Sequence, residues 1–166
     1  MAKRLDTMMR EKYMTLNISQ RIKVMLSVVE LFIVALIANG GTPGDTVIDT
    51  VVMTKRYMGG ACGITRLDER IDRLQSEMGS PERSAFIRHA INVFRVDSDQ
   101  IKASNHKEIC EYLVLCLAQD AKVRSGISAE ANTISAKYEY RFVKKCAKAL
   151  GVYKRIDNIF KEAIAD

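Results

Sequence analysis

The sequence has no tryptophan, two prolines and two histidines in 166 residues. So few rigid and bulky residues suit a helical protein better than a β-sandwich. The histidines, His89 and His106, fall in separate segments with no patterned carboxylate or cysteine beside them, and no His-Glu-x-x-His occurs. A structural metal usually gathers its ligands at short fixed spacings. The four cysteines, Cys62, Cys110, Cys116 and Cys146, form no Cys-x-x-Cys pair, and their apolar neighbours point to buried thiols. The glycine-rich stretch 40–44 lacks the Gly-Lys-Ser/Thr ending of a phosphate-binding loop. No Gly-x-Ser-x-Gly elbow is present either. A Cys110 or Cys116 nucleophile served by His106 is the one catalytic pairing to weigh, and burial in an apolar helix would suppress the thiolate. These absences lead us to expect no enzyme, no cofactor and no metal site.

Long apolar runs are also scarce. The longest, IKVMLSVVELFIVALIA at 22–38, spans 17 residues and contains Lys23 and Glu30. A membrane-crossing helix needs about 20 mostly apolar residues, and a carboxylate at its middle is costly. The run therefore reads as a core helix. Met25, Val28, Val29, Phe32 and Leu36 follow helical spacing, while Leu26, Ile33 and Ile37 widen the stripe nearly all round. That predicts the central helix of the fold, buried on most faces. Asn17 or Ser19 is positioned to cap its start, and Asn39-Gly40-Gly41 to end it. The run starts too late for a secretory leader and has no small-residue cleavage site, so we expect a cytoplasmic protein.

What remains is rich in helical spacing and start signals. Residues 1–16 are expected to be an N-terminal arm or a short helix, with Leu5, Met8, Met9 and Lys12 in register; residues 17–166 form one domain. A second helix starts at Asp45 or Thr46, with Val47, Val51, Met58, Ile48 and Val52 on its apolar side. Leu67, Ile71, Leu74 and Met78 make a narrow stripe on a third, charged helix. Ser80-Pro81-Glu82 is a helix start, followed by Phe86, Ile87, Ala90, Ile91 and Phe94. Asn105-x-x-Glu108 has the pattern of a capping box before HKEICEYLVLCLAQ, a second core candidate. A long helix follows from about 128 to 150, and a closing one from 154 to 165. The reading is all-α: a single-domain bundle of about seven helices.

The layout of two segments resembles the TerB-like helical family, known from tellurite-resistance proteins and a DnaJ-like co-chaperone. In each, a buried helix meets a loop before a second helix begins: 29–38 into Asn39-Gly40, and 112–119 into Asp120 and Ser125-Gly126-Ile127-Ser128-Ala129-Glu130. The likeness would span roughly 28–152 and implies an all-helical fold. The family's acidic loops are linked to metal. Here Asn39 replaces the usual Asp, Ser125 precedes the glycine and Glu130 comes one residue early. Too few carboxylates remain for a hard cation, which takes about six oxygen ligands.

Net charge is +6, with a sequence pI near 9.2. Such a balance favours acidic partners. The basic stretch KYEYRFVKKCAKALGVYKR at 137–155 carries the clearest functional signal. Lys137, Arg141, Lys144, Lys145 and Lys148 recur at spacings of three and four, with Lys154 and Arg155 after the Gly151 stop. The plain alternative is that these cations only solvate a helix whose Phe142, Val143, Cys146 and Leu150 face the core. The functional expectation is a non-enzymatic adaptor or subunit of a larger assembly that meets an acidic protein surface through this face. The alternative is a nucleic-acid-binding subunit of a ribonucleoprotein.

Overall fold

Several helices begin or end at a local signal that stops the backbone ladder. The computed structural model describes residues 2–79 and 101–165. These form seven α-helices and one short 3-10 turn, with no strand among the described residues. The fold is an all-α bundle. The expected helix after Pro81, with Phe86 to Phe94 and His89, lies outside the described residues.

Helix α1 is Ala2–Met14 and α2 is Ile18–Ala38. Asn17 caps α2 reciprocally: its Oδ1 accepts from the Gln20 N–H at 2.9 Å, and the Gln20 Oε1 accepts from the Asn17 N–H at 2.9 Å. Helix α3 is Asp45–Met58, α4 is Ile64–Met78, α5 is His106–Val123, α6 is Ala129–Ala149 and α7 is Tyr153–Ile164. Helices α2, α3 and α6 stop in the same way. At the end of α6, the Val152 N–H donates to the Ala147 carbonyl at 2.9 Å and the Gly151 N–H to the Lys148 carbonyl at 3.3 Å. Gly151 sits at φ 72°, where a Cβ would be strained. Asn105 departs from expectation. Its side chain makes no cap bond to α5, and instead accepts from the Lys102 N–H at 3.3 Å to close the 3-10 turn Ala103–Asn105.

Packing divides into two groups that share α2. Helix α5 packs against α2, α3 and α4, while α1 packs against α6 and α7, and α2 also meets α7. The hub is therefore α5 more than α2. Ile109, Leu113, Val114, Leu117, Ala118 and Ala121 of α5 are each at most 1% exposed. Helix α2 buries Met25, Val28, Val29, Phe32 and Leu36 but turns Val34 and Ile37 outward, at 56% and 55% exposed. The expectation of burial on most faces fails there. Those two positions share an outer face with Lys23, Ser27 and Glu30, and Glu30 pairs with Lys55 of α3.

Helix α3 also turns differently from expectation. Val47 and Val51 are buried, but Ile48 and Val52 are exposed. Their place inside is taken by Thr46, Thr50 and Thr54. Spacing of four lets each hydroxyl reach the preceding turn: Thr50 Oγ1 donates to the Thr46 carbonyl at 2.6 Å and Thr54 Oγ1 to the Thr50 carbonyl at 2.7 Å. A hydroxyl satisfied inside its own helix can be buried at little cost. On α4 the expected stripe of Leu67, Ile71, Leu74 and Met78 is fully buried. No described helix is long and apolar enough to cross a membrane.

Candidate functional site

Helix α1 is the element that turns a solvated stretch of α6 into a structured place. It is a thirteen-residue helix laid against α6 and α7. Its inward side is Met9 and Tyr13, at 6% and 0% exposed, whereas Leu5 and Met8 face out at 52% and 50%. Tyr13 lies edge-on to Phe160 of α7, with centroids 5.1 Å apart, and is 5.8 Å from the ring of Tyr140. Such a cluster joins three helices at a point far apart in sequence.

Beside it lies a buried charge cluster. Arg21 of α2 is fully buried. Its Nε donates to Asn132 Oδ1 at 2.8 Å, and its Nη1 to Glu139 Oε2 at 2.9 Å and Asp120 Oδ2 at 3.3 Å. The Tyr13 hydroxyl donates to the same Glu139 oxygen. Asn132 in turn donates to the Leu16 carbonyl at 2.9 Å. One guanidinium thus faces two carboxylates. Burial pushes Glu139 up to about 7, with Arg21 pulling the other way. Burial also raises Asp120 and Tyr13. Burial opposes the charge on Arg21, but Glu139 and Asp120 outweigh it. None of these residues was singled out as a site from sequence. Two signals mark them: Arg21 stands four before Met25 on the apolar stripe of α2, and Glu139 stands between Ala136 and Val143 on that of α6. A charge on a buried stripe calls for a buried partner.

The predicted basic residues do not share one environment. Lys144 is buried at 7% exposed, so the expected exposed face loses one member. Its Nζ donates to Asp157 Oδ1 at 2.6 Å and lies 3.6 Å from Asp6 Oδ1. It also stands 4.4 Å from the centre of the Tyr153 ring. The reason is helical phase. Position 144 lies in the row 140–144–147, which faces α1 and α7, while 145 and 148 are turned further round. Asp157 also meets Lys161 at 3.1 Å; burial works against its charge, but Lys144 and Lys161 hold its carboxyl below the usual range.

Arg141 and Lys148 are exposed and Lys145 is half-buried. They meet Arg10 of α1 around a pocket of about 200 Å3, whose wall is completed by Asp6, Tyr140, Lys144 and Tyr153. Among the described residues Asp6 is the one carboxylate there, and it accepts from Tyr140 Oη at 2.8 Å as well as facing Lys144. Among the described residues Arg10, Arg141, Lys145 and Lys148 make no ion pair. Lys137, Lys154 and Arg155 do not line the pocket; Lys137 is half-buried and the other two are exposed. Sequence spacing could not have found Arg10, which comes from the other end of the chain.

A second cleft, of about 390 Å3, lies between 14–18 and 124–133. Of its polar groups, Asn17 and Ser128 cap helices, Asn132 holds Arg21 and Leu16, and the Arg124 guanidinium lies 5.0 Å from the centre of the Tyr57 ring. His106 is buried with Nε2 2.8 Å from the Phe32 carbonyl. Cys110, one turn along, is buried and its thiol is pushed up to about 12 by burial. All four cysteines are free thiols; Cys110 and Cys146 are buried, while Cys62 and Cys116 are half-buried. Among the described residues no three His, Cys, Asp or Glu side chains converge as metal ligands would. No family model, no curated protein and no solved structure matches this chain.

Proposed function

We propose that the chain is a non-enzymatic helical module of the cytoplasm that joins a larger assembly by binding an anionic partner through the α1–α6 basic face. The observation that supports this is the convergence of Arg10, Arg141, Lys145 and Lys148 on one pocket without acidic partners for them among the described residues. Cations that only solvate a helix have no reason to gather at a concave junction of three helices, because like charges repel there. Lys154 and Arg155 at the start of α7, and Lys137 further up α6, extend the positive surface beyond it. The partner that fits best is an acidic protein surface. A nucleic acid is the other reading, favoured by the aromatic rings of Tyr153 and exposed Tyr138 near the lysines. The TerB-like relationship belongs to the same proposal, supported by the all-helical fold.

The test is a titration of the wild type and an Arg141→Glu, Lys145→Glu variant against heparin, single-stranded DNA and polyglutamate, at about 50 and 200 mM salt. Lys144 is left intact because it is structural. Binding that weakens with salt and falls in the variant supports the proposal, and the polyanion bound most tightly separates the two partner classes. Equal affinity of both forms for every polyanion, with no salt dependence, overturns it.

A further inference from the structure

We infer that the pocket between α1, α6 and the start of α7 is a site for a single phosphomonoester group, bound as its dianion. This rests on the basic-face reading and makes it specific. A strand of nucleic acid presents singly charged diesters in a row and is best met by cations in a row. The pocket does the opposite. Arg10, Arg141, Lys144, Lys145 and Lys148 surround one space of about 200 Å3, with Asp6 as the sole carboxylate among the described residues. The cations suited to a longer track, Lys137, Lys154 and Arg155, stand outside it.

Three details fit a compact, highly charged ligand. First, Asp6 is occupied by Tyr140 and Lys144, and Lys144 by Asp157, so both sit in the wall as a neutralised pair. The remaining cations are left to the ligand. Second, Arg10 brings a guanidinium to the same wall from a different helix and makes no ion pair among the described residues. Third, α7 starts beside the pocket at Tyr153, with no side-chain cap and no acid in its first turn. The positive end of its dipole adds to the positive potential there. Arginine from two different helices also allows forked contact to more than one phosphate oxygen.

The group could arrive as free phosphate or carried on a partner's side chain. Calorimetric titration of the full chain with inorganic phosphate, O-phosphoserine and dimethyl phosphate distinguishes these. An unphosphorylated oligonucleotide serves as the diester polymer. Inorganic phosphate and O-phosphoserine, which both carry a dianionic phosphate, should bind about tenfold or more tighter than the diester monoanion, since charge-assisted bonds to a dianion are stronger. Tighter binding of phosphoserine than of phosphate supports a carried group; equal binding supports free phosphate; both support the site. Arg141→Gln with Lys145→Gln, and separately Arg10→Lys, should each weaken phosphate binding by about tenfold, the loss expected for a charged hydrogen bond. Lys137→Gln with Lys154→Gln should change it by less than about twofold, as residues outside the pocket touch only the wider field. Unchanged melting temperatures would confirm that each variant folds. Salt-sensitive binding of the oligonucleotide without preference for a monoester, equally weakened by the outer pair, overturns the inference and leaves the basic-face reading standing. No binding of any anion overturns both.

Discussion

Replacing Arg21 with methionine tests the buried charge cluster most directly. Methionine keeps much of the apolar stem and removes the guanidinium. In the wild type that group is fully buried and serves Asn132, Glu139 and Asp120. Its loss leaves Glu139, 2% exposed, with the Tyr13 hydroxyl as its named remaining donor. Breaking one side of a buried ion pair costs about 3–5 kcal/mol, a large share of the roughly 5–15 kcal/mol that holds a domain. The pH dependence sharpens the test. Burial raises the folded pKa of Glu139 to about 7 from its ordinary value of 4.5. A raised carboxyl contributes stability that is present below its unfolded pKa and is lost as pH rises toward the folded one. Without Arg21 the folded value moves higher still. Wild type and variant should therefore lose stability in parallel up to about pH 7, and the variant should go on losing it above. Urea unfolding followed by circular dichroism at about pH 5.5 and 8.5 reads both quantities. An added Glu139→Gln should recover much of the loss at the higher pH. A cost below about 1 kcal/mol, or one identical at the two pH values, would refute the account of Arg21 as the counter-charge of Glu139.

Other outcomes follow from the same packing. Lys144→Ala should destabilise by about 1–3 kcal/mol while Lys145→Ala stays within about 0.5 kcal/mol, since only Lys144 is buried and bonded. Asp157 has a lowered carboxyl pKa, so its share of stability is present above the unfolded value of 3.8 and lost as pH falls through the folded one. Thermal melts from pH 5 downward should show the wild type losing more than Lys144→Ala. Leu36→Asp, at a 6% exposed position, should cost more than about 4 kcal/mol and leave insoluble or unfolded chain; a soluble variant with an unchanged melting temperature would contradict the packing of α2. Timed alkylation of the native protein should modify half-buried Cys62 well before Cys110 and Cys146, whose thiols are buried and raised by burial; equal rates would count against that burial.

The fold was legible wherever one helix carried its own signal. The Leu67–Met78 stripe, the Asn17 cap and the Gly151 stop each depend on residues within one or two turns. Phase was harder. Ile48 and Val52 look more like core than Thr46, Thr50 and Thr54 until the hydroxyls are seen bonded inside their own helix. Lys144 reads as one of a row of lysines because spacings of three and four admit both 144 and 145, while only the neighbouring helices decide which turns inward. The pocket itself was half visible: Arg141, Lys145 and Lys148 stand out in the sequence, but Arg10 is separated from them by more than a hundred positions. No local pattern encodes such a meeting.

The placing of α1 has a consequence for how the chain is made. Tyr13 finds its partners at Glu139, Tyr140 and Phe160, so α1 is synthesised well before the helices it packs against. Until α6 and α7 exist, Met9 and Tyr13 have nothing to pack against, and closing so long a loop carries an entropic cost before any contact returns it. Helices α2 to α5 can assemble earlier among themselves, with Arg21 waiting for Glu139. The nascent chain thus carries an amphipathic segment that needs shelter in the meantime, and the cation-lined pocket exists only after that segment has docked. Readiness to bind is in this sense a report that synthesis has passed α7.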